Sequence, residues 1–190
     1  MRIKDDSKRQ ALIRATVRLV NEIGFSAASV SKIAGEANVS PATLYTYFEN
    51  KDDLIVDAYR TVMGEWSQGI FQGLDSDRSV RDVLHSIWCN TFRYVSRNRD
   101  DYLYTEQFSK SPYMQRISLA EMESFFGPLL AVIHRGVDEK ILKDVHSHMH
   151  MMFFFYPILS LANPGSGHSA VITEKTIETA FLLAWDAIRL

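Results

Sequence analysis

Apolar residues recur every three to four positions along nearly the whole chain, and no stretch alternates apolar with polar for long. That period belongs to helices that each bury one face, and it excludes sheet-based architectures. The stretch "DDSKRQALIRATVRLVNEIGF" sets Leu12, Ala15, Leu19 and Ile23 at helical spacing, and Gly24 supplies a stop of the C-cap kind. Ser29 is placed to cap a short helix, "VSKIAGEAN", with Val30, Ile33, Ala34 and Ala37 on one face and a turn at Asn38–Val39. Ser40 then caps a third helix with Pro41 at its first position, where a missing N–H costs nothing. Asn50 starts a fourth, with Asp53 placed to answer it, reaching to about Gly73. Helical tracts follow over roughly 78–98, 100–109, 114–135, 143–162 and 173–189, divided by "LDSD", "NRD", "SP", "GVDEK" and "NPGSGHS". The expected fold is all-α.

Composition narrows the function classes. With 46% hydrophobic and 23% charged residues in 190, the chain can bury a full core. Its single cysteine, Cys89, excludes an intramolecular disulfide and fits a reducing cytoplasm, as a small apolar residue on a helix face. The charged start "MRIKDDSKRQ" has no signal-peptide core, and the apolar run from Met151 to Ala162 is shorter than the ~20 residues of a membrane span. We expect no export and no membrane. Residues 1–48 carry seven Lys and Arg against four Asp and Glu, hence +3; the net charge of −2 leaves −5 for the rest. A basic head on an acidic body points to a polyanion partner for the head.

The stretch "SPATLYTYFENKDDL" sharpens this. At about 100° per residue, Leu44 and Phe48 fall together on the inward face with Pro41 near them, while Ala42, Thr43 and Thr46 point outward. Tyr45 and Tyr47 flank, Tyr45 nearer the inward side. A two-turn helix showing small residues between tyrosines suits entry into a DNA major groove about 12 Å wide. Ala42 or the Thr43 methyl can meet a thymine methyl, the Thr43 and Thr46 hydroxyls can reach base edges, and the tyrosine hydroxyls can bond phosphate. Lys51, at the start of the fourth helix, offers a phosphate its charge as well as the helix N–H groups. A solvated lysine and a merely structural helix remain open.

These residues resemble the DNA-binding region of the TetR (tetracycline-repressor) family of bacterial regulators. The resemblance covers about residues 8–56. It rests on Gly24–Phe25, Ser29–Val30, Ile33–Ala34, Ala37, Val39, Thr43–Leu44–Tyr45, Tyr47–Phe48, Lys51 and Leu54. It implies a three-helix DNA-binding head, residues 1–50, and a helical effector-binding and dimerisation body, residues 51–190. Ser29, Ser40, Thr43, Tyr45, Tyr47 and Lys51 would contact DNA, mostly its backbone. Pro41, Ala42, Thr43 and Thr46 would lie nearest the bases. Ala28 stands where the family often has threonine, and Lys32 can compensate.

The body carries aromatic and methionine clusters: Trp88, Phe92, Tyr104 and Phe108; Met122, Phe125 and Phe126; Met152, Phe153 and Tyr156. As a set they suit a cavity for a flat apolar ligand, though each alone is equally a core residue. Glu106 can meet a cationic ligand or be a surface carboxylate. The family implies a dimer through the last long helices, for which "TIETAFLLAWDAIRL" offers Ile177, Phe181, Ala184, Trp185 and Ile188; part of that stripe must also serve the chain's own core. Pro157 should bend or restart its helix. In "HSHMH", His146 and His150 share a helix face, but no third soft ligand is near, so neither a metal nor a cofactor is expected. No nucleophile elbow or phosphate-binding glycine loop marks an enzyme. The expected protein is a bacterial cytoplasmic homodimer, a repressor released from double-stranded operator DNA by a small molecule. A helical module that binds another protein through the tyrosine-edged face is the alternative.

Overall fold

The computed structural model describes residues 6–163 and 172–190. The expected break over 163–169 falls almost wholly outside them. The fold is all-α, as expected. The described helices are α1 (Asp6–Ala27), α2 (Val30–Glu36), α3 (Pro41–Tyr47), α4 (Lys51–Phe71), α5 (Val80–Arg97), α6 (Arg99–Ser109) and α7 (Leu119–Asp138), followed by α8 (Ser147–His150), α9 (Tyr156–Ala162) and α10 (Glu174–Ile188). A 3-10 turn, Pro112–Arg116, precedes α7, and a π-helical turn, Met151–Phe155, joins α8 to α9. The chain packs as two compact units, one of residues 1–65 and 100–119, the other of 66–99 and 120–190. This differs from the expected division at residue 50, because the first part of α4 and residues 100–119 supply core to the N-terminal unit.

In that first unit α1 buries Leu12, Ile13, Ala15, Thr16, Val17 and Val20. The expected stripe is rotated by about one residue: Leu19 is only half-buried and Ile23 is 40% exposed. A helix packed by neighbours on two sides buries a wide face rather than a single line. Gly24 ends its regular course at φ +76°, a left-handed value glycine adopts without a Cβ penalty. Arg14 donates to Asp101 at 2.8 Å and pairs with Glu65, and Arg9 pairs with Asp57, tying α1 to α4 and α6. The buried Tyr104 hydroxyl donates to the Ile55 carbonyl at 2.7 Å, and burial pushes that phenol's pKa upward. Phe108 stacks on Tyr59 with centroids 4.0 Å apart, and Phe25 lies 5.3 Å from Tyr113 and 6.1 Å from Tyr104.

The second unit is built on α5, which buries Val80, Val83, Leu84, Ile87, Trp88, Thr91 and Val95. Trp88 lies 5.4 Å from Phe154 and 5.9 Å from Phe181, and its indole N–H donates to the Ile177 carbonyl at 3.1 Å. The Asn90 amide bonds the Ile70 carbonyl at 3.0 Å, closing the end of α4. α7 passes through Pro128 without ending and runs on to Asp138, three residues into the expected break. Pro157 sits in the first turn of α9, which continues the π-helical turn without a break in helical backbone.

Candidate nucleic-acid interface

The interface is assembled by caps. Ser29 accepts the Lys32 N–H at 3.3 Å and opens α2. Asn38, at φ +53°, makes the turn, and the Val39 N–H returns to the Ala34 carbonyl at 2.9 Å. Ser40 accepts the Thr43 N–H at 3.1 Å and opens α3 with Pro41 in its first turn. Asn50 accepts the Asp53 N–H at 2.9 Å while its own amide donates to the Asp53 carboxylate at 2.8 Å. The answer to Asn50 is thus side chain to side chain. A helix of seven residues has no stability alone. α3 is pinned by Leu44, fully buried, and Phe48, 7% exposed.

With those two residues inward, Pro41, Ala42 and Thr46 are exposed and Thr43 is half-buried. Pro41 therefore lies outside rather than near the core, since the helix's first turn projects beyond its packing stripe. The tyrosines are reversed from expectation: Tyr45 is 56% exposed, whereas Tyr47 is half-buried with its ring 6.5 Å from Phe48. The Thr43 hydroxyl is shared with Ser40 at 2.9 Å, and the Thr46 hydroxyl donates to the Ala42 carbonyl at 3.2 Å. Both oxygens keep acceptor capacity toward a ligand. The Lys51 ammonium donates to the Phe25 carbonyl at 3.0 Å, and Lys32 donates to the Ala27 carbonyl at 3.2 Å. Each lysine holds the end of α1 with one proton and has two more to offer. Ala28 is fully buried, so that position presents no side chain to a ligand.

The residues expected to line one cavity belong to both units. Tyr104 and Phe108 are fully buried in the first unit's core, as the α6 ring contacts require. Trp88 is fully buried in the second unit, where Phe92, Met122, Phe125 and Phe126 are half-buried. Met152, Phe153 and Tyr156 are exposed, at 49%, 53% and 46%. Glu106 is engaged by Lys110 at 2.8 Å.

The stripe offered for dimerisation is largely packed within the chain. Phe181, Ala184, Trp185 and Ile188 are buried within the chain, and Ile177 is half-buried, because this is the face α10 turns to α5 and the π-helical turn. The outer face of α10 carries Leu182 and Leu183, the latter 69% exposed. Sequence reasoning missed them. The signal was present: Phe181 to Trp185 is apolar all round, and a surface helix buries only one side.

Two family models match this chain. Residues 12–58 match the model described as bacterial regulatory proteins, tetR family, and residues 81–189 match a tetracyclin repressor-like C-terminal domain. The chain belongs to the TetR family. It is a helix-turn-helix transcriptional regulator, with α2 and α3 as that motif. Among relatives, YdeS of Bacillus subtilis (strain 168), an uncharacterized HTH-type transcriptional regulator, is 40% identical over 148 residues, 75% of this chain and 71% of that one. A TetR family regulator from Marinobacter aquaeolei VT8 is 34% identical with TM-score 0.87, over 100% of this chain and 99% of that one. The fold also matches FadR from Bacillus subtilis in complex with stearoyl-CoA, at 17% identity and TM-score 0.76, over 94% of this chain and 97% of that one. Among the described residues, no helix is long and apolar enough to cross a membrane.

Proposed function

We propose that this TetR-family regulator is a ligand-released repressor. It acts as a homodimer in the bacterial cytoplasm, and no enzymatic step is part of the reading. DNA recognition belongs to residues 1–50, within the larger first unit, and effector binding and dimerisation to residues 51–190. The observation that carries the reading is α3: Ala42 and Thr46 face outward beside an exposed Tyr45, with Leu44 and Phe48 holding the helix from behind. Thr43, Ala42, Thr46 and Pro41 read bases, while Ser29, Lys32, Ser40, Tyr45, Tyr47 and Lys51 grip phosphates.

A symmetric dimer presents two such helices to half-sites about 34 Å apart on a palindromic operator. The dimer face we assign is the apolar surface left open on this chain: Leu182 and Leu183 of α10 with Met152, Phe153 and Tyr156 of the neighbouring π-helical turn and α9. Exposed apolar clusters of this kind mark association surfaces. For the effector we retain Trp88, Phe92, Met122, Phe125 and Phe126, which suit an apolar or aromatic molecule. That FadR holds stearoyl-CoA on the same fold supports a ligand-binding role for such a body. The ligand releases DNA by favouring a dimer conformation with lower operator affinity, since only a difference in affinity between states shifts an equilibrium.

Footprinting on the DNA upstream of the chain's own gene tests this. A protected palindrome, lost in Tyr45→Ala with the dimer intact, is expected. Absence of protection on that DNA together with salt-insensitive binding to any duplex would refute it. Loss of a protein partner, with no change in DNA binding, would favour a protein-binding module instead.

A further inference from the structure

In the second unit, the end of α4 and the end of α5 enclose a surface groove of 380 Å³. Its floor exists because Gly69 has no Cβ: one built there would come within 2.3 Å of the Tyr94 ring, which lies against the α4 backbone. Gln72 lines it from the end of α4, and Asn90, Arg93, Arg97 and Asn98 line it from α5 and its C-cap. Among the described residues no carboxylate lines it. The two arginines are one helical turn apart on one face, where like charges repel. Both are exposed, and neither joins an ion pair among the described residues. Asn90 holds Arg93 in place, taking one guanidinium N–H on its side-chain oxygen at 2.9 Å while its amide is fixed to the end of α4. That leaves four N–H donors on Arg93 and five on Arg97.

We propose that this groove binds a phosphate group of a small-molecule ligand, gripped by Arg93 and Arg97. A planar guanidinium matches phosphate oxygens two at a time. One fork already satisfies a carboxylate, whereas a doubly charged phosphate has oxygens for both forks and relieves their mutual repulsion. The groove falls within the roughly 300–1,000 Å³ of small-molecule sites, so it has room for the moiety that carries the phosphate. The inference rests on the regulator reading only in taking that molecule for an effector, alone or as the polar end of one.

The test is calorimetric titration of the full-length protein with sodium pyrophosphate at low ionic strength, without DNA. We expect saturable binding, weakened at least about tenfold in Arg93→Gln and in Arg97→Gln, and only partly restored by Arg97→Lys, which keeps charge but loses the fork. Melting curves should be unchanged, because both guanidiniums are exposed. The proposal is overturned if the wild type does not bind pyrophosphate saturably, if the double glutamine variant binds it equally well, or if succinate binds more tightly. It also fails if the variants lose affinity for a random duplex rather than for pyrophosphate, which would make the pair a DNA contact. Since no DNA enters the main titration, a negative result leaves the operator reading standing, and a failed footprint leaves this one standing.

Discussion

Replacing Lys51 with methionine separates a phosphate contact from a structural tether. The ammonium already donates to the Phe25 carbonyl at 3.0 Å. Losing that bond costs about 0.5–1.5 kcal/mol, small against the roughly 5–15 kcal/mol that holds a domain folded. The variant should therefore melt slightly lower but remain folded. Its DNA binding should change in a particular way. Each phosphate neutralised by a cation contributes about 0.9 to the slope of log affinity against log salt. A dimer carries two copies of Lys51, so the slope should become shallower by about 1.8. Between 50 and 200 mM salt that difference compounds to about 12-fold: the wild type's advantage at low salt shrinks by that factor. Fluorescence anisotropy of a labelled operator across that range measures it, with Lys51→Arg as the control that keeps the charge. If the methionine variant lowers affinity by one factor at every salt concentration, leaving the slope unchanged, Lys51 acts only as a tether and the phosphate assignment is wrong.

Gly69→Ala drives a methyl into the Tyr94 ring and should destabilise by about 1–3 kcal/mol, lowering the melting temperature by roughly 2–8 °C; an unchanged melt would show that the ring moves aside freely. His150 is 1% exposed, and neither ring nitrogen has a hydrogen-bond partner. Burial pushes its pKa below the usual imidazole value and the His134 charge adds to this, while the nearby Lys143 backbone pulls the other way without reaching hydrogen-bonding geometry. The unfolded chain then binds a proton that the folded one resists, so stability is whole above the unfolded pKa of about 6.5 and falls as pH drops below it. His150→Leu should flatten denaturant midpoints measured between pH 7.5 and 5.5, and an unaltered pH dependence would refute the assignment. Leu183→Glu should give a monomer by light scattering with weakened operator binding; a dimer that persists would move the interface elsewhere.

The helix-turn-helix could be read in advance because everything that makes it is local. Ser29, Ser40, Pro41 and Asn50 each act within three residues, and Leu44 with Phe48 sits within one turn. The packing of Tyr104 and Phe108 was not legible because their partners, Ile55 and Tyr59, lie 49 residues earlier, and no periodicity encodes that distance. Through the π-helical turn the helical period holds: Met149, Met152, Phe153 and Tyr156 share one exposed face while His150, Phe154, Phe155 and Ile158 turn in, but the period does not say which of two apolar faces is buried. On α10 the period was right but its direction was not, since a helix with apolar residues all round does not declare which side meets its own chain.

The interruption of the first unit by residues 66–99 bears on how such regulators can be recombined. A chimera that borrows only the opening 65 residues leaves behind Tyr104, Phe108 and Tyr113, which cover Phe25 and Tyr59, and Asp101, which receives Arg14. A graft that swaps DNA specificity between relatives must carry two separate pieces of sequence, or else donor and recipient must already agree at those four positions.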